Sequence, residues 1–299
     1  MWILFALIGY LLLATVFLLD KRIVSNLTVS PVVYTFYSTI FLVVLFFFLP
    51  FTGISFGLSV WVSAFVSGLS FLLALYTMFR AFQTSEVSHM GPFIGAFITV
   101  ASFGLGSVWL QESLSPFQQL GIGVLVAASF LLSFEKTNSH TLVRWHYLWG
   151  VFSGFLFGVS HVSAKAVNES APFLFGIITT KGFAGVLAIA LFLSPAVRRS
   201  LQGSKGKKKP QKTLVVITVV INKVLSVVAN GLIQYSIALG SVTVVTALGG
   251  IQYAFLFVLV WLLSRYRHSF FQEYMTKKEI SIQILAILLF IIGASFFAF

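Results

Sequence analysis

The sequence predicts an all-α, polytopic membrane protein with ten transmembrane helices arranged as two inverted five-helix repeats. Three observations predict it. Hydrophobic residues make up 59% of the 299-residue chain and charged residues 9%, with a mean hydropathy of +1.02. A soluble domain carries roughly 25% charged residues, so this chain lacks the polar surface a water-soluble globule needs. The apolar residues gather into ten runs close to the length of about 20 residues that crosses a bilayer as helix, and the chain matches itself across its middle. Soluble-enzyme classes are excluded by composition, and so is disorder, given 34 Phe. The absence of Cys removes disulfides, thiol nucleophiles and thiolate metal sites together. A net charge of +12 on a chain this apolar marks membrane orientation rather than nucleic-acid binding.

The ten runs lie at about 2–19, 31–49, 57–79, 87–110, 117–134, 147–165, 172–194, 214–239, 243–264 and 281–298. Asp20-Lys21-Arg22 closes the first, and Pro50 to Gly53 follows the second. The first run has no basic residue before its apolar stretch and no small-residue cleavage site, so it reads as a span and not a signal peptide. The fourth presents Ser88, Gly91, Gly95, Thr99, Ser102 and Gly106 as one small-residue face. The ninth repeats the theme with Thr243, Thr246, Gly249, Gly250 and Tyr253. Such faces let helices approach closely in lipid and, at equivalent places in two halves, are also candidates to line a central cavity. Between the seventh and eighth runs, 195–213 is the long hydrophilic stretch. It contains Arg198-Arg199 and Lys207-Lys208-Lys209 and reads as a topogenic loop facing anionic lipid.

The internal match sets a first repeat at 1–134, a linker at 135–146 and a second repeat at 147–299. Glu112 precedes the fifth run and Glu273 the tenth; each is followed by a capping-box pattern, Ser115-x-x-Gln118 and Thr276-x-x-Glu279. Tyr76-x-x-x-x-Ala81 corresponds to Tyr235-x-x-Ala238 with a difference in spacing, and Lys21 to Lys165. Five is odd, so the second copy enters the membrane from the opposite face. That is the arrangement of alternating-access transporters, with a site near the midplane between the halves. The stretch Ala74 to Ser133, with Ala81, Pro92, Glu112 and Gly121 at their intervals, resembles the repeat of the EamA family of the drug/metabolite transporter superfamily. The resemblance extends over essentially the whole chain. The second copy departs from it at Gly249, which stands where the first has Pro92, and at a basic insertion, Arg265 to His268. The resemblance implies a ten-helix carrier and constrains the solute only loosely, since such families move amino acids, metabolites and drugs.

Ionisable residues within spans point to function, because an unpaired charge at mid-depth is costly. Two basic residues qualify, Lys181 in the seventh run and Lys223 in the eighth, each roughly 13 Å from a span end at 1.5 Å per residue. Lys223 heads a stripe with Ser226, Asn230 and Gln234 on one helical face. The seven acids, Asp20, Glu86, Glu112, Glu135, Glu169, Glu273 and Glu279, all lie at span ends or in loops. The expectation is therefore that no carboxylate neutralises either lysine. The predicted solute contacts are Lys181 and Lys223 for charge and Asn230 and Gln234 for orientation, forming a cationic pole suited to an anionic or carboxylate-bearing metabolite or amino acid. His161, His89 and Tyr253 are weaker candidates.

The predicted function is secondary transport of a small organic solute by alternating access. The alternative is a non-transporting, lipid-binding or regulatory membrane protein that keeps the fold; a water-accessible cavity reaching both lysines would distinguish the two. No nucleotide-binding loop, metal spacing or convergent catalytic set is visible, so neither a cofactor nor an enzymatic role is predicted. The expected partners are a small-molecule solute and the bilayer. Sixteen of the 19 basic residues fall in loops after odd-numbered spans, against Lys165 alone on the other side. The positive-inside rule then puts those loops in the cytoplasm and both termini of a cell-membrane protein outside. The family resemblance implies cytoplasmic termini for many members; the charge count decides the expectation here.

Overall fold

A computed structural model describes residues 2–21, 23, 30–52, 56–85, 87–133, 143–201, 211–266 and 277–297, and every regular element among them is helical. The elements are α1 (Trp2–Lys21), α2 (Pro31–Thr39, continuing as a 3-10 stretch, Ile40–Phe51), α3 (Leu58–Thr84), α4 (Val87–Trp109), α5 (Pro116–Ser133) and α6 (Val143–Ser170). They continue with α7 (Phe173–Ala190), α8 (Pro195–Leu201), α9 (Gln211–Leu239), α10 (Val242–Leu248), α11 (Ile251–Tyr266) and α12 (Lys277–Ser295). Nine segments among the described residues are long and apolar enough to cross a membrane, and Ser281–Ser295 forms a shorter apolar helix. The chain is thus a multi-pass helical membrane protein.

Two predicted spans differ from single helices. In the second, Thr35 Oγ1 and Thr39 Oγ1 donate back to the carbonyls of Pro31 and Thr35, at 2.8 and 2.7 Å. Such back-bonding bends helices, and at Ile40 the chain tightens into the 3-10 stretch. The ninth divides at Gly249–Gly250 into α10 and α11. A Cβ on Gly249 would come within 3.1 Å of the Tyr10 ring, and one on Gly250 would overlap Phe290. The break therefore sits where Tyr10 of α1 and Phe290 of α12 press on the chain. In the first half, Pro92 lies inside an unbroken α4.

The bundle is built on the packing of α3 and α4 against α6 and of α1 against α9. At Gly68 the α3 and α7 backbones meet: a Cβ there would stand 2.8 Å from Thr180 O and Ala184 N. The two small-residue faces predicted for the fourth and ninth spans meet along part of their length. Gly91 accommodates the Tyr253 ring, Thr99 Oγ1 donates to Thr246 O at 3.3 Å, and Thr243 Oγ1 to Ser102 O at 3.4 Å.

Glu112 ties the halves together. Its carboxylate accepts from the backbone N–H of Val242 at 2.8 Å and of Thr243 at 3.4 Å, and from Thr243 Oγ1 at 2.6 Å. It satisfies free N–H groups at the start of α10, where the helix dipole favours negative charge. The capping box after it is formed: Gln118 N–H donates to Ser115 Oγ at 3.3 Å, and Ser115 N–H to Gln118 Oε1 at 3.1 Å. Glu273 and Thr276, the predicted counterparts, lie outside the described residues, as do 134–142 and 202–210. Glu112→Ala is expected to lower stability by about 2 kcal/mol. A thermal unfolding midpoint equal to that of the wild type would contradict the cap.

Candidate functional site

A cavity of about 360 Å³ opens among α1, α2, α3, α4, α6, α7, α9, α10 and α11. Its walls are mostly aliphatic and aromatic, and its charged side chains are Asp20, Lys181 and Lys223. The broken ninth span contributes Thr246, Gly249, Gln252 and Tyr253. A discontinuous helix at such a position exposes polar groups to a cavity instead of to lipid.

Three of the four predicted contact residues, Lys181, Lys223 and Asn230, line this cavity. Lys181 is buried, and its Nζ has no hydrogen-bond partner among the described residues. It stands 3.6 Å from the centroid of the Phe71 ring, within cation–π range. Asn230 donates to Ser226 O at 2.8 Å, leaving its amide oxygen to other partners. Gln234 turns elsewhere: its amide meets His161 Nδ1 at 3.0 Å. His161 stacks near-parallel to Phe157 and itself lines the cavity, so Gln234 orients a wall residue.

Lys223 corrects the expectation that no carboxylate neutralises either lysine. Its Nζ lies 3.3 Å from Asp20 Oδ1 in a pair whose side chains are 12% and 4% exposed. The same oxygen accepts from Asn222 Nδ2 at 2.6 Å and from the Tyr34 hydroxyl. Asn222 Nδ2 also reaches the Tyr34 oxygen at 3.1 Å, and Lys223 Nζ sits 4.2 Å from the Tyr34 ring centroid. The physical reason is register. The apolar segment of α9 begins at Ile217, which puts Lys223 about 9 Å deep at 1.5 Å per residue. Because α1 packs along α9, Asp20 near the end of α1 meets it. The predicted cationic pole therefore reduces to one uncompensated cation, Lys181.

Asp20, Tyr34, Asn222, Ser38 and Gln252 were not among the predicted site residues. Asp20 is masked in the sequence by Lys21 and Arg22, which make the triplet look like an ordinary span terminus. Asn222 and Gln252 carry the signal that could have found them, a polar amide within an apolar run. Ser38 carries none, because serine is common in spans.

Lys165, paired with Lys21 in the repeat, lies away from the cavity. Its Nζ donates to Ala238 O at 3.3 Å, on the last turn of α9, where carbonyls lack helical partners.

Fold and site together define a multi-pass helical membrane protein with a mostly apolar cavity lined by Lys181, whose ammonium has no partner among the described residues. A solved structure described as "Crystal structure of protein" is similar in fold, with a TM-score of 0.59 and 15% identity, covering 98% of this chain and 93% of that one. No protein-family model and no curated protein matches the chain.

Proposed function

We propose that the chain is a secondary carrier of the drug/metabolite transporter type, EamA-like, moving a small anionic or carboxylate-bearing solute by alternating access. The observation that carries this reading is a cavity lined by Lys181, Lys223 and Asn230 and walled by helices from both halves. A free ammonium held in such a cavity against its desolvation cost supports a site for an anionic guest. Two inverted five-helix repeats are supported by the packing scheme. α1 packs on α9 as α6 packs on α3, and α1 on α11 as α6 on α4. The contacts of α5 with α12 and of α4 with α10 pair equivalent members of the two halves. In this reading the protein is a carrier and not an enzyme, and its basic loop faces anionic lipid.

The chain has no Cys, so Asn230→Cys introduces a unique thiol into the cavity wall. An impermeant anionic thiol reagent is expected to modify it in reconstituted vesicles, with the reagent supplied on both sides. A thiol that stays unreactive from both sides would favour the non-transporting alternative.

Orientation in this proposal follows the charge count, with both termini outside the cytoplasm. A C-terminal reporter that works only outside the cytoplasm should be active, and one that works only inside should be silent. The reverse pattern would overturn the assignment.

A further inference from the structure

Three residues that line the cavity each hold a buried polar atom with no hydrogen-bond partner among the described residues: Lys181 Nζ, Gln252 Nε2 and Ser38 Oγ. These residues are 6%, 2% and 8% exposed, so bulk water does not serve them. They come from α7, α11 and α2, elements far apart in sequence that converge on one space. An ammonium and an amide N–H₂ are donors only, and a hydroxyl can donate. Leaving such groups unpaired costs free energy, which a guest with acceptor oxygens would recover.

Charge sets what that guest is. Lys223 and Asp20 neutralise each other, so the charged wall residues sum to one positive charge, on Lys181. A monoanion balances it. A dianion would leave a negative charge without a partner. For the ammonium of an amino acid or amine the wall offers one carboxylate, Asp20, which already holds Lys223, Asn222 and Tyr34. The remaining wall is mostly apolar, with Phe41, Phe71 and Phe157 among its side chains. A volume of about 360 Å³ is at the small end of the roughly 300–1,000 Å³ usual for ligand pockets.

Resting on the carrier reading, we infer that the solute is an apolar monocarboxylate of about one ring, its carboxylate held by Lys181, Gln252 and Ser38. Its hydrocarbon body lies against the aromatic wall. Gln252 and Ser38 are then recognition residues, and Lys223 belongs to an internal ion pair that shapes the wall without holding the carboxylate.

The test is calorimetric binding to the purified full chain in lipid nanodiscs with four probes that share one ring. They are 3-phenylpropionate, phenylalanine (which adds an ammonium), phenylsuccinate (which adds a carboxylate) and 3-phenylpropylamine (which replaces the anion by a cation). 3-Phenylpropionate is expected to bind at least about 10-fold more tightly than the other three. Lys181→Met should weaken it by about 10- to 100-fold, and Gln252→Leu by about 3- to 10-fold. Because each variant removes an unpaired buried group, neither should melt below wild type without ligand. No binding of 3-phenylpropionate, equal or tighter binding of any other probe, or unchanged affinity in Lys181→Met overturns the inference. A Lys181→Met protein that melts well below wild type also overturns it, since Lys181 would then be a structural cation. Selective binding without transport would refute the carrier reading and leave the site standing. Transport of the amine or of phenylalanine without binding of the carboxylate would do the opposite.

Discussion

Lys223→Met is expected to destabilise the protein by about 3–5 kcal/mol, the usual cost of removing one partner from a buried ion pair. The cost arises at Asp20, whose carboxylate stays buried among Tyr34 and Asn222 with its cation gone. Asn at position 20 keeps a carbonyl oxygen for those two donors and carries no charge. Asp20→Asn should therefore restore most of the stability lost in Lys223→Met, so that the double variant unfolds well above the sum of the single effects. Thermal unfolding in nanodiscs of the four proteins of this cycle gives the coupling directly. Additive losses would mean that the two side chains do not form the pair seen between α1 and α9.

Lys181→Met is expected to do the reverse on stability and far more to activity. Among the described residues no acid pairs with Lys181, and its Nζ has no hydrogen-bond partner. Replacing it by a side chain of similar length removes an uncompensated charge and should hold or raise the unfolding midpoint. Transport should fall about 100-fold or more, because the variant loses the cavity cation that attracts and orients an anion. This opposition separates the two lysines, which composition and depth alone make look equivalent. A variant that transports at the wild-type rate would remove Lys181 from the site.

The helices were legible because twenty-residue apolar runs leave the backbone no alternative in lipid. The division of the ninth span was signalled by Gly249–Gly250 but not fixed by it, since the break depends on Tyr10 and Phe290 pressing on those positions from other helices. At the site, Lys181, Lys223 and Asn230 stood out as polar residues within apolar runs. What they meet did not, because pairing is a property of register between helices. Asp20 looked like an interfacial charge until α1 lay along α9. Gln234 lies on the face of Lys223 by periodicity, yet His161 on α6 takes its amide. Glu112 was readable as the residue before a capped helix, whereas its bonds to Val242 and Thr243 join two halves that no local pattern connects.

Counterflow in proteoliposomes tests the central claim most directly, that this cavity carries an anion across the membrane on the charge of Lys181. Vesicles loaded with unlabelled 3-phenylpropionate at neutral pH, where nearly all of it is the carboxylate, are diluted into a trace of labelled 3-phenylpropionate. The account predicts transient accumulation of label above that of protein-free vesicles with the wild type, and loss of that accumulation in Lys181→Met. Equal accumulation with both proteins, or none above protein-free vesicles with the wild type, would contradict it.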